Sequence, residues 1–567
     1  MTTRPGASAH PVSLGPTLSR HILVAVAWPY ASGSLHLGHL AGAYLPADIF
    51  ARYQRIAGNH VLMVSGSDTH GTPITVKADQ EGVTPQEIVD RYHPEILGYW
   101  EALGISFDLF TTTLTNNHRE VTWDIFRKHR ERGTIVEGTS QQFFDPEKQR
   151  FLPDRYVEGT CPHCGYGQAR GDQCDNCGRT LDPIDLIDPR SRLSGATPVQ
   201  RETTHWFLKL SAFSDQVRSW LDEQTTWRRH VKNWALGMID EGLPDRAITR
   251  DLEWGIPLPP EADTLGSGKR IYVWFEAVIG YLSAAKEWAQ IQGTPEAWRD
   301  WWQNPEAESY YFVGKDNIPF HAVIWPAMLI GYGEHNLPTN VPANQYVTFK
   351  GSKASKSMGI GRSIGWYADR LEPDALRFAI ASVLPEQNDT DLTEEEIIRR
   401  INEELVATWG NLVNRVLTIT SRNFDGKVPS PGPLTAEDQQ IIDGVDDALT
   451  EIAALIDRVE LKAGLRSAMD AATTVNVYLN ATEPWKLVKT EPERAGTVLF
   501  TAVQAISGLR VAFAPYLPFT TRTLGSMIGL GPEVNGWRRP DLPAGTTLGE
   551  ISPLFKKLED DIISEDA

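Results

Sequence analysis

The chain has 567 residues, a formal net charge of −19, 41% hydrophobic and 22% charged residues; this is ordinary for a globular enzyme and too much chain for one core, so three or four domains are expected. No apolar segment approaches the roughly 20 residues of a bilayer-spanning helix, so no membrane partner is expected. The acidic balance excludes indiscriminate nucleic-acid binding and leaves any RNA contact to a local basic patch; all four cysteines sit in one cluster, which fits a reducing cytoplasm.

Residues 1–20 carry two arginines and no acidic residue, show no amphipathic period and are rich in Pro, Gly and Ser, which reads as a disordered tail. An apolar run from Ile22 to Ala27 then breaks at Trp28-Pro29, crosses a small-residue loop and enters a helical pattern at HLGH, residues 36 to 39. The pattern is strand, phosphate loop, helix. His36 and His39, at i and i+3, project from one side of a helix start and can donate to phosphate oxygens, while Gly38 leaves room for a ribose or base. Two histidines that fall three apart by chance would look the same, and for the motif alone the two readings are about even.

A second apolar run, His60 to Ser65, ends in GSDTHGTP. Asp68 at that strand end faces the same crevice and can hold the ammonium of an amino acid, or equally cap the next helix. Helices follow over 85–105 and 117–132, with a short strand over Phe107 to Thr112 between them. Residues 21–115 thus form the first half of a doubly wound α/β (Rossmann-type) parallel-sheet catalytic domain.

Residues 116–240 read as an insertion holding Cys161, Cys164, Cys174 and Cys177. Two Cys-x-x-Cys pairs, each followed by Gly, can set four thiolates tetrahedrally on one structural zinc ion, with no position left for water. Such binding supplies about 10 to 16 kcal/mol to a knuckle with little core of its own. A pair of redox dithiols is the weaker alternative, and His163 is a bystander.

Sheet character returns over 241–345. A turn-rich segment bears Arg250; Trp274 and Tyr281 lie in YVWFEAVIGY, where periodicity alone favours ordinary core. In FVGKDNIPFH, Asp316 stands at a strand end, placed to accept from ribose hydroxyls, and His321 is a structural histidine by default. The linking segment 346–395 contains FKGSKASKSMG, in which Lys353, Lys356 and Ser355 make a mobile cationic loop able to close on a triphosphate. From about 396 to 535 long amphipathic helices form a bundle: Glu394 to Phe424, Thr435 to Arg458, Leu461 to Asn480 and Glu491 to Ala514. Trp485 beside Lys486 can stack on an unpaired base or pack between helices. Residues 536–567 form a C-terminal tail.

With HLGH at 36 to 39 and KASKS at 353 to 357, the chain resembles the class I aminoacyl-tRNA synthetases, departing from their lysine-loop signature at Ala354. AWPYASGSLHLGHL, SGSDTHGTP, the cysteine cluster, YVWFEAVIGY, FVGKDNIPFH, LVNRVLTITSRN, NATEPWKL and PLFKKLED together resemble the methionyl branch of that family over nearly the whole chain. The resemblance implies methionine activation by ATP followed by transfer to tRNA(Met), with magnesium accompanying ATP. It implies a methionine pocket of Ala27, Trp28, Tyr30, Asp68, Trp274, Ala277, Val278, Tyr281, Asn317 and His321. ATP would be held by His36, Gly38, His39, Asp316, Lys353, Ser355 and Lys356. His36, His39, Lys353, Lys356 and Arg250 would serve the reaction, and Arg422 and Trp485 would read the anticodon in an all-α helix-bundle anticodon-binding domain. Trp28 and Asn317 stand where the family often has Leu and Ile, and Thr418 where some members place an anticodon-contacting Asn. The chain ends without the β-barrel found in dimeric members, so a monomer is expected. A non-catalytic tRNA-binding paralogue and a class I enzyme for another amino acid are the rival readings.

Overall fold

A strand buried on both faces has to be apolar at every position, and residues Ile22 to Val26 of β1 (His21–Val26) are each fully buried. A computed structural model describes residues 19–263, 265, 268–349, 352–353, 362–559 and 562–563, with 352–353 described in backbone only. Of the expected N-terminal tail, 1–18 lie outside the described residues, as do Ser355 and Lys356 of the lysine loop.

After β1 the chain is helical over 37–56 (α1), including a π-helical turn at Leu40–Tyr44. Then come β2 (His60–Ser67), α2 (Pro85–Leu103), which opens on a Thr84/Glu87 capping box and ends at Gly104 in the left-handed region, and β3 (Leu109–Thr112). The helix α3 (Asn116–Glu131) follows. Its Val121, Ile125 and Phe126 pack in the same core as Leu23 and Ala25 of β1, so the segment with which the expected insertion begins is by packing a flank of the sheet. Periodicity gives a helix but not its partner. The long pair β4 (Ile135–Asp145) and β5 (Val199–Leu208) carries the chain out and back antiparallel, in register from Ile135 with Leu208 to Phe144 with Val199.

The helix α4 (Val273–Ile291), β6 (Glu308–Gly314) and β7 (Ala343–Asn344) complete a parallel sheet of order β7-β6-β1-β2-β3. Strand order reverses between β1 and β6, and the crevice beyond their carboxyl ends is where such sheets bind nucleotides. The alternation of side chains divides the strands between two cores: Ile22, Val24 and Val26 join the cluster that runs on into the C-terminal helices, and Leu23 and Ala25 join that of α3 and α4. The backbone at Lys353 pairs with Thr348.

The bundle consists of α5 (helical over 394–423, π-helical at Arg400–Gly410), α6 (Ala436–Asp457), α7 (Leu461–Thr482) and α8 (Pro492–Phe513). Its central helix α8 corrects one expectation. It is 22 residues long and holds an 18-residue stretch of mean hydropathy 1.4, long and apolar enough to cross a bilayer, yet 94% of that stretch is buried inside the protein. The bundle lies against α1, where Gln54 donates to Asp457 at 2.8 Å and Tyr53 meets Trp537 edge to face. A fully buried ion pair, Arg377 to Asp48 at 2.7 Å, adds to this junction, and Arg377 also donates to the carbonyls of Tyr516, Pro515 and Leu103.

Candidate active site

The turn after β1 brings the two histidines into reciprocal capping. His36 is the N-cap of α1, and its Nδ1 accepts from the Gly38 N–H at 3.1 Å while His39 Nδ1 accepts from the His36 N–H at 3.2 Å. Imidazoles here do the work that Ser and Glu do in an ordinary capping box. With both Nδ1 atoms accepting, a neutral ring carries its proton on Nε2, where it can be donated. The rings lie 3.9 Å apart. Gly38 is required by its own neighbour, because a Cβ there would sit 2.9 Å from the His36 ring. Asp316 stands in the turn after β6, on the other side of the switch point.

The expected methionine-pocket residues converge beside this turn. Trp28 meets Tyr281 edge to face at 6.5 Å, and Tyr30 meets Trp274 likewise at 6.2 Å. Tyr30 also forms a parallel bridge with Asp68, and the Ala27 carbonyl accepts from Tyr44. The Trp28 indole lies over two glycines, since a Cβ on Gly66 or Gly280 would come within 2.4 or 2.7 Å of it. Ala277 and Val278 are buried in α4. His321 is buried, with Nδ1 2.9 Å from the Asn317 carbonyl and Nε2 2.7 Å from the Tyr281 hydroxyl. A carbonyl only accepts, so Nδ1 carries the proton and Tyr281 donates to Nε2. Burial pushes the imidazole down to about 4, which keeps it neutral. Phe320, stacked on Trp274 at 3.9 Å, extends the wall and was not singled out in the sequence, where it reads as plain core.

Asp68 is 2% exposed, and its carboxyl is pushed well above the usual range, first by burial and then by the charge of Glu276. The backbone N–H of His70 donates to its Oδ1 at 3.3 Å. Among the described residues no cationic side chain hydrogen-bonds or ion-pairs with Asp68. Glu276, His70 and His118 cluster behind it and were not singled out either; His70 and Glu276 lie within quoted motifs and His118 within the helix expected over 117–132, but no spacing marks them.

Arg250 is committed elsewhere. Its guanidinium bonds Asp154 at 3.2 Å and the Ala247 and Thr249 carbonyls, and lies 3.8 Å over the Tyr272 ring. It thereby ties the insertion to the start of α4.

The four cysteine Sγ atoms lie within 4.8 Å of one another, with Cys161 to Cys177 at 4.0 Å and Cys164 to Cys174 at 3.6 Å. A tetrahedral metal with bonds of about 2.3 Å to sulfur sets its ligands about 3.8 Å apart, so this donor set fits one closed metal site. Gly165 and Gly178 make the turns with φ of 72° and 73°, each donating back to the first cysteine of its pair.

In the bundle, Arg422 is exposed near the end of α5, and Trp485 is half-buried at the start of Pro484–Thr490. The Arg415 guanidinium lies 5.3 Å over the Trp485 ring and bonds Asn476 and Asn480 at 2.9 and 3.0 Å. Beside them opens a cavity of about 400 Å³ lined by Thr408, Asn411, Asn414, Arg415, Asn476 and Asn480 among others.

Residues 22–417 match the family described as tRNA synthetases class I (M), and residues 428–566 match the anticodon binding domain of methionyl tRNA ligase. A methionine–tRNA ligase of Chloroflexus aurantiacus is 49% identical over 593 residues, covering 97% of this chain and 98% of that protein. One of Roseiflexus castenholzii is 49% identical over 580 residues, covering 96% and 98%. The solved Mycobacterium tuberculosis methionyl-tRNA synthetase in complex with methionyl-adenylate superposes with a TM-score of 0.78 at 25% identity, covering 95% of this chain and all of that one. Over nearly its whole length, this chain belongs to the class I (M) tRNA synthetases.

Proposed function

We propose that the chain is a methionine–tRNA ligase, activating L-methionine with ATP to methionyl-adenylate and pyrophosphate and then passing the methionyl group to the terminal adenosine of tRNA(Met). The observation that carries this reading is Asp68, a buried carboxyl without a cationic partner among the described residues, set between aromatic walls one strand from the HLGH turn. An α-ammonium supplies the missing charge. Trp28, Tyr30 and Trp274 offer ring faces and edges to a thioether, each contact contributing about 0.3 to 1.5 kcal/mol, and the neutral Tyr281–His321 pair adds polarity without charge. Ala27, Ala277, Val278 and Asn317 complete the pocket.

In the first step the methionine carboxylate attacks the α-phosphorus of ATP in line. His36 and His39 donate through Nε2 to the phosphate oxygens as charge grows on them, with Lys353, Ser355 and Lys356 of the lysine loop lending further positive charge and donors. Gly38 admits the nucleotide and Asp316 accepts from the ribose. No side chain acts as a covalent nucleophile; positioning and electrostatics suffice. Arg250 acts by holding the insertion against α4. Arg422 and Trp485 read the anticodon. The four cysteines hold zinc, which when bound supplies folding energy to the knuckle; magnesium arrives with ATP. A cytoplasmic monomer with no membrane partner belongs to the same reading.

Amino-acid-dependent ATP–pyrophosphate exchange, run with methionine, leucine, isoleucine, valine and cysteine in parallel, tests it. Exchange with methionine alone is expected. Exchange with another amino acid would discard the methionine assignment, and none from folded, zinc-loaded protein would leave a binding-only paralogue.

A further inference from the structure

Between Trp274 and Ala277 on α4 stands Glu276, whose carboxylate is fully buried. It accepts from His70 Nδ1 at 3.0 Å, just beyond β2, and from His118 Nε2 at 3.2 Å, in the first turn of α3. The other ring nitrogen of His118 lies 2.8 Å from Ser283 Oγ, and the Ser283 hydroxyl donates to the Gly280 carbonyl at 3.0 Å. His118 thus spans Glu276 and Ser283, two positions of α4, and ties the carboxylate to the start of α3.

His70 joins this pair to Asp68. Its ring holds Glu276 while its backbone N–H holds Asp68 Oδ1 at 3.3 Å. Of the four ionisable side chains gathered here, Asp68, His70, His118 and Glu276, all under a tenth exposed, Asp68 is the one that no side chain of the group hydrogen-bonds.

We propose that Glu276 and His118 are positioning residues of the amino-acid seat: gripping His70 by its ring, they fix the Asp68 carboxylate against the helix that forms the pocket wall and leave it as the charge that an α-ammonium completes. This rests on the methionine-ligase reading and adds to it two residues that touch no substrate. Facing Asp68 are Glu276 and Tyr281 from α4, Tyr30 from the loop after β1 and His70 on its own strand end, with His118 behind Glu276. Since the charge of Glu276 pushes the Asp68 carboxyl up, removing that charge lets Asp68 ionise at lower pH.

The test is methionine-dependent ATP–pyrophosphate exchange over about pH 5 to 9, a range between the ordinary carboxylate and phenol values, with Glu276→Gln, Glu276→Asp and His118→Gln beside the wild type. In Glu276→Gln and His118→Gln the KM for methionine is expected to rise about tenfold or more with the KM for ATP within about twofold of wild type, and Glu276→Asp to recover most of the loss. The acid limb of kcat/KM for methionine moves to lower pH in Glu276→Gln. A merely structural role would not move it. Folded variants with the wild-type KM for methionine, or an unmoved limb in Glu276→Gln, overturn the inference; if Glu276→Gln does not fold, the KM values of Glu276→Asp and His118→Gln decide. A wild type that exchanges without regard to methionine overturns the proposed function itself.

Discussion

The side-chain amide of Gln173 donates to the backbone carbonyl of Asp316 over 3.1 Å, and to the Gly178 carbonyl at 3.0 Å. One residue before the metal-cluster cysteine Cys174 thus steadies the turn at the end of β6. Losing a hydrogen bond of this kind costs about 0.5 to 1.5 kcal/mol, so Gln173→Ala should raise the KM for ATP by up to about tenfold and leave that for methionine nearly unchanged. Stripping the metal with a chelator should do the same more strongly, with loss of hydrogen-exchange protection over 157–191 as an independent reading.

Gly38→Ala places a methyl where the His36 ring now lies. The ring must leave its cap, which costs about 1 kcal/mol of stability. Adenylation should fall by about 10²-fold, mostly in kcat, because the Nε2 donors are no longer aimed. Thermal unfolding and exchange kinetics on the same preparation check both parts.

Asp68→Asn should cut methionine-dependent exchange by about 10² to 10³, as expected for removing one partner of a buried charge pair. Its effect on stability is the opposite. The folded carboxyl takes up a proton more readily than the unfolded one, so its contribution to stability is complete below the ordinary carboxylate pKa of about 3.9 and is lost as pH rises through the higher folded value. Ligand-free Asp68→Asn should therefore melt no lower than wild type at neutral pH, and saturating methionine should raise the melting temperature of wild type only.

Asp48→Ala leaves Arg377 buried without its anion, a loss of about 3 to 5 kcal/mol. The Asp48 carboxyl is held well below its usual range by Arg52 and Arg377 against the cost of burial. The pair thus stabilises above the ordinary carboxylate pKa, and wild type should lose that stability as pH falls toward the depressed value while the variant does not. Denaturant midpoints against pH measure the difference.

Trp485→Ala and Arg422→Ala should leave pyrophosphate exchange unchanged and raise the KM for tRNA in aminoacylation, the first by the roughly 1 to 3 kcal/mol of a base stacked on an aromatic ring. Equal loss in both assays would refute an anticodon role.

Elements with a strong local signal are legible in the sequence alone. The helix expected over 85–105 is α2, Pro85–Leu103, and the four bundle helices fall within a few residues of their expected limits. The cysteine spacing likewise foretold four sulfurs brought together. What stayed hidden depends on distant partners. His118 and Glu276 are 158 positions apart, and no period marks either as buried or as the other's partner. Arg250 looked available because its partner Asp154 lies 96 positions away, in the insertion. The apolar length of α8 is hidden in the sequence for a related reason: Arg510 and the Gly and Ser residues within it interrupt the apolar run, yet all of them are buried.

Gln54 of α1 and Asp457 of the bundle are 403 positions apart, a separation with a meaning on the ribosome. At about 5 to 20 residues per second, the helix bearing the HLGH turn is made about 20 to 80 s before the surface it leans on. Through that interval the outer side of α1 and the core it shares with the bundle stay uncovered. The nascent chain must wait, sheltered from its neighbours, for its last quarter before its first quarter can settle.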